Sequence, residues 1–112
     1  MHIRNQEKLA EFSQKHPNSK SAIDRWLELM ERENFGSIIE LREIFPHADP
    51  VRVKVQRRQS VGVHVSIEAI ATVFNIGGNK ARLIVSIQYQ LQRVTVHKVL
   101  THAEYDKWDR RI

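Results

Sequence analysis

The sequence predicts an α+β domain: N-terminal helices packed on an antiparallel β-sheet, closed by a short C-terminal helix. Three observations predict it. Apolar residues recur at helical spacing up to about residue 45, the period changes to two from Val51, and a helix-capping pattern returns at Thr101. The length, 112 residues, fits a single domain over 1–112.

Leu9 and Phe12, three apart in the polar stretch Gln6 to Lys15, predict a first helix that Pro17 closes. Asn18 or Ser19 then offers an N-cap. Ile23, Trp26, Leu27 and Met30 make the apolar stripe of a second helix, which Gly36 ends. Ser37 followed three residues later by Glu40 is a capping box, so a short third helix runs from Ile38 towards Phe45 and stops before Pro46. Val51, Val53 and Val55 alternate with Arg52 and Lys54 as a first strand. Val61 to Ile67 alternates as a second, and Ala71, Val73 and Phe74 form a further β-prone stretch. Ala81 to Tyr89 alternates again, and Val94 and Val96 begin a last strand whose phase slips near His97 or Lys98, predicting a bulge there. Gly77-Gly78-Asn79 and Gln90-Leu91-Gln92 read as hairpin turns, which implies antiparallel pairing. Thr101 and Glu104 form a second capping box, opening a helix that carries Tyr105 and Trp108. On this reading the apolar face of each strand meets the helices. The other face, with Arg52, Lys54 and Arg82, is a basic concave surface.

Charge is unevenly spread. Residues 1–50 carry 7 basic and 9 acidic side chains, residues 51–112 carry 11 and 4, and the net is +5. Between Val51 and Val99 eight basic residues face one acid, Glu68. That points to a polyanion, most simply nucleic acid. No apolar run approaches the ~20 residues of a membrane helix, so no membrane partner is expected. The start lacks the apolar core of a signal peptide, and there are no cysteines. The expectation is a cytoplasmic protein without disulfides, thiol chemistry or cysteine-bound zinc. No cofactor pattern is present: Gly77 and Gly78 lack the strand–loop–helix context of a phosphate cradle. His97, His102 and Asp106 lack metal-ligand spacing, so no metal is expected.

The stretch Val73-Phe74-Asn75-Ile76-Gly77-Gly78-Asn79-Lys80-Ala81-Arg82-Leu83-Ile84-Val85 resembles the central hairpin of HigB-type toxins. These are RelE-like mRNA interferases of bacterial type II toxin–antitoxin modules. Thr101-His102-Ala103-Glu104-Tyr105-Asp106 resembles the C-terminal signature of that family. Lys15-His16-Pro17 before a Trp-bearing helix and Ile44-Phe45-Pro46 before the strands are similar too. The resemblance implies a compact RelE-like fold and cleavage of messenger RNA in the ribosomal A site. It also implies neutralisation by a HigA-type helix-turn-helix antitoxin, through which alone operator DNA is bound. Val51 to Ile70 is longer than the family pattern, and an extra strand or extended basic loop must fit there.

Metal-free RNA cleavage uses the ribose 2′-OH against the adjacent phosphorus. It needs a proton acceptor, a neutraliser of the phosphorane and an acid for the 5′ oxygen. Arg82, always charged and able to grip two phosphate oxygens, suits the second need. By resemblance it also matches the arginine that RelE-like proteins place on this strand. Histidine is the side chain whose charge changes near neutral pH, so His102 suits proton transfer. Tyr105, one helical turn on, suits base stacking or support of the proton network. Lys54, Arg57, Arg58, Asn79, Lys80, His97 and Lys98 are the candidate RNA contacts, with His97 and the lysines at 80 and 98 also available for acid–base help. A non-catalytic nucleic-acid-binding module on the same basic face is the alternative, although aromatic pairs for base stacking are not evident on adjacent strands.

Overall fold

The structure is a computed structural model that describes the backbone of residues 1–58 and 64–112 and the side chains of residues 1–55 and 67–112. A short strand, β1 (His2–Arg4), precedes three helices, α1 (Glu7–Lys15), α2 (Lys20–Arg32) and α3 (Ile38–Ile44). Four strands follow: β2 (Asp49–Arg58), β3 (His64–Ile76), β4 (Ala81–Gln88) and β5 (Arg93–Leu100). The short helix α4 (His102–Asp106) comes last. The sheet order is β1-β5-β4-β3-β2. The strands β2 to β5 pair antiparallel as expected. The unexpected β1 joins parallel to β5, which makes the sheet mixed. Three residues are too few for a periodic signal, so nothing local marks β1 as a strand.

Two cores lie on opposite faces of the sheet. In the larger, Leu9, Phe12, Ile23, Trp26, Met30 and Leu41 of the helices meet Phe74, Leu83, Val85, Val94 and Val96 of the strands. Trp26 is 2% exposed and meets Phe74 edge-on, with ring centroids 5.4 Å apart. In the smaller, Val51, Val53, Ala71, Val73 and Ile84 are covered by Leu100, Tyr105, Trp108 and Ile112. The C-terminal segment also extends the sheet. Lys54 N–H donates to Arg110 O (2.7 Å), and Ile112 N–H donates to Lys54 O (3.0 Å).

This second core corrects the expected basic face. Cross-strand partners share a face, and the register runs Val51↔Ala71, Val53↔Ala69, Val73↔Ile84 and Asn75↔Arg82. The valines of β2 therefore share a face with Arg82, turned away from the three N-terminal helices. Arg52 and Lys54 point to the opposite face, beside Ile70 and Glu68. Alternation says that one side of a strand is buried, not which layer buries it. Over its described residues the long Val51–Ile70 segment forms most of β2 and the first part of β3. The phase of Ile67, Ala69, Ala71 and Val73 is continuous, so β3 is one strand, paired over ten positions with a lengthened β2.

Local signals mostly act as expected. The four residues between Ile76 and Ala81 form a turn in which Gly77 (φ 59°) and Gly78 (φ 71°) take left-handed backbone. A single 3-10 turn (Tyr89–Leu91) with Gln92 left-handed links β4 to β5. α2 stops at Arg32, four residues before Gly36. Ser19 does not cap α2: its hydroxyl donates back to His16 O (2.7 Å) within a 3-10 turn. At α3, Ser37 Oγ accepts from Glu40 N–H (3.3 Å), but the Glu40 carboxylate reaches the N–H of Gly36 rather than that of Ser37. The box at α4 is complete, with Thr101 Oγ1 accepting from Glu104 N–H (3.1 Å) and Glu104 Oε1 accepting from Thr101 N–H (2.8 Å). These contacts draw the Glu104 carboxyl below the usual range, the Thr101 backbone bond being the largest cause. Thr101→Ala should cost α4 about 1 kcal/mol, read as faster amide exchange at Tyr105, whose N–H donates to Thr101 O (2.9 Å).

Candidate active site

The site is built where β4, β5 and α4 meet. Arg82 lies on the β4 face turned towards α4 and is 8% exposed. Its Nη1 donates to Gly78 O (3.2 Å) and Ala81 O (3.3 Å), and its Nη2 donates to Asn79 Oδ1 (3.2 Å). The left-handed glycine turn brings these acceptors back over the strand. The guanidinium carbon lies 5.9 Å from the Tyr105 ring centroid, a cation–π distance. No carboxylate forms an ion pair with Arg82 among the described residues. Buried charges are normally paired. Here a fixed cation is held by neutral acceptors and an aromatic ring, and its charge is left uncancelled.

Tyr105 is half-buried, packed on the second core beside Trp108 (ring centroids 5.9 Å). His102 lies one turn earlier on α4, two residues past Leu100, the cross-strand partner of Arg82. It is exposed, with Nδ1 3.9 Å from Asp106 Oδ1. The structure thus brings Arg82, Asn79 and Tyr105 into contact and puts His102 on the same helix as Tyr105.

The expected bulge falls at His97: Val85 pairs with Val96 and Ile84 with Lys98, leaving His97 without a partner in the register. The imidazole Nε2 lies 2.6 Å from Ser86 Oγ. Burial, then Lys8 and Lys98, hold the His97 pKa below the ordinary histidine value. The neutral form of the imidazole is therefore favoured. A depressed histidine stabilises the fold above its unfolded pKa of about 6.5 and loses that contribution as pH falls through the folded value. Imidazole NMR should show His97 titrating below the ordinary histidine value, and His97→Gln should flatten the fall in stability as pH drops below about 6.5.

Other expected RNA-binding residues lie elsewhere. The Nζ of Lys80 donates to Asn18 O (3.1 Å) in the α1–α2 connection, on the helix side of the sheet. Lys54 faces away from Arg82, on the side of Glu68. The side chains of Arg57 and Arg58 lie outside the described residues. Sequence reading missed Ser86, although it shares the phase of Arg82 and Ile84 along β4. It also missed Lys8, Lys15 and His16, which reach β5 only through the packing of α1. Among the described residues no three His, Asp or Glu side chains gather as a metal-ligand group.

The HigB_toxin family, the RelE-like toxic component of a toxin-antitoxin system, matches residues 19–108. The chain belongs to the HigB toxin family. It is similar to the mRNA interferase HigB of Escherichia coli O6:H1 (strain CFT073), with 27% identity over 110 residues, covering 98% of this chain and 93% of that protein. The mRNA interferase toxin HigB of Escherichia coli K12 is 26% identical over 106 residues, 95% and 88% of the two chains. The mRNA interferase HigB of Shigella flexneri matches equally well. The HigB family match covers both segments that carry the sequence resemblance, the glycine hairpin before Arg82 and the capped helix of His102 and Tyr105.

Proposed function

We propose that this HigB-family toxin is a metal-independent mRNA interferase that cuts messages as they are translated, in the ribosomal A site. The observation that carries this reading is the buried, uncancelled Arg82 guanidinium beneath Tyr105. A phosphorane gains a negative charge that a fixed cation stabilises without reorganisation. In the step proposed, the ribose 2′ oxygen attacks phosphorus, the bond to the 5′ oxygen breaks, and the products are a 2′,3′-cyclic phosphate and a 5′-hydroxyl. Arg82 holds the non-bridging oxygens. His102 moves the proton, taking it from the 2′-OH or giving it to the leaving oxygen. Tyr105 stacks on a base or fixes the guanidinium. Asn79 orients Arg82, while His97 and Lys98 contact the backbone. The names of the relatives support the RNA substrate.

A HigA-type antitoxin with a helix-turn-helix domain is the proposed neutralising partner. Acidic side chains covering Arg82 and Lys98 would give a salt-sensitive complex, with operator DNA reached only through the antitoxin. The site of action is the cytoplasm, where messages are read.

The test is to add the purified chain to translating ribosomes in the presence and absence of a chelator and to map new message ends. Ribosome-dependent 5′-hydroxyl ends that persist in chelator support the reading. RNA binding without new ends would reduce the chain to a non-catalytic binding module.

A further inference from the structure

A second feature lies beside the site, on the free edge of β5. β1 stops at Arg4, opposite Thr95, so beyond Thr95 that edge faces α1 instead of a strand. Between α1, this edge and the start of α4 is a cleft of about 320 Å³, within the range of small-ligand pockets. Lys8, Lys15 and Lys98 line it. Lys8 Nζ donates to His97 O (2.9 Å), which holds one ammonium at the mouth. The wall is aromatic: the Phe12 and His16 rings lie 4.4 Å apart at 30°. Glu11 and Glu104 add carboxylate acceptors. Leu100, which closes the cleft on the sheet side, is the direct partner of Arg82.

Cations, stacked rings and acceptors together suit a nucleotide. Phosphate takes the ammonium groups, a base face takes the half-buried His16 ring, which the core residue Phe12 backs, and base N–H groups find the carboxylates. An acidic peptide would use the lysines but would meet the two carboxylates unfavourably. We propose that this cleft seats a nucleotide of single-stranded RNA next to the one held at Arg82, with Lys8 and Lys15 on its phosphate and His16 against its base. The inference rests on the RNA-cleaving reading and deepens it.

The test uses a fluorescein-labelled 2′-O-methyl RNA decamer, uncleavable because its nucleophile is blocked, with anisotropy at several salt concentrations. The intact chain should bind. Lys8→Gln combined with Lys15→Gln, both at exposed positions, should weaken binding about tenfold or more. The salt dependence should also become shallower, by roughly 0.7 log unit for each phosphate the chain no longer neutralises. His16→Ala should weaken binding about tenfold and His16→Phe should restore it. Decamer binding unaffected by the lysine changes, or none by the intact chain, overturns the proposal, as does a lysine effect confined to binding of an acidic partner protein. Message-end mapping separates the two readings. Cutting with lysine-independent decamer binding sinks the cleft alone. Lysine-dependent binding without cutting sinks the nuclease and leaves the cleft as an RNA site.

Discussion

Arg82→Ala is expected to lower message cleavage by roughly 10²- to 10³-fold, the usual cost of removing one preorganised charge-stabilising group, and to relieve growth inhibition on induction. The side chain also bonds Gly78, Ala81 and Asn79, so the variant should lose some stability, on the order of 1–3 kcal/mol. Arg82→Lys separates the effects. It keeps the charge and most of the stem but loses the planar fork. It should melt close to the parent yet cut at least about tenfold more slowly, since bidentate grip is lost. Circular dichroism and a thermal melt establish folding, and counts of new message ends establish activity. Parent-level cleavage by folded Arg82→Ala would remove Arg82 from the mechanism.

Trp26→Ala should have the largest effect on stability. The indole is 2% exposed and sits between the helix layer and Phe74, which also meets Phe45 edge-on at 5.2 Å. Truncating such a residue costs about 3–5 kcal/mol, from lost transfer and the cavity left behind. A domain of this size holds only about 5–15 kcal/mol in total. Urea unfolding should show a much lower midpoint with a similar slope. A change below about 1 kcal/mol would mean that the helix layer repacks around the gap.

Much of this architecture is legible in the chain. Ile23, Trp26 and Met30 announce the helix stripe, the glycines announce the β3–β4 turn, Thr101 and Glu104 announce α4, and the phase slip announces the bulge at His97. The misplaced basic face has a non-local cause. Alternation along β2 shows that Val51 and Val53 are buried, but their cover comes from Trp108 and Ile112, more than fifty residues later. Arg52 and Lys54 therefore turn away from Arg82. The sequence reading ends one stretch at Ile67 and opens another at Ala71, whereas in the fold Ala69 fits against the second core and the strand runs on. At the site, Arg82 and Tyr105 could be singled out by chemistry and resemblance. The cleft beside them could not: Lys8, Lys15 and His16 sit on the polar side of an ordinary amphipathic helix, and only its docking against β5 gives them a common target.

The pairing of Arg110 and Ile112 with Lys54 bears on how the molecule avoids its own kind. An outer strand with free amides and carbonyls is a template for other chains, and a few residues laid along it act as a guard. Trimming that guard should do more than loosen Trp108. It should leave an adhesive margin, and the clipped molecules should accumulate as oligomers while keeping their central fold.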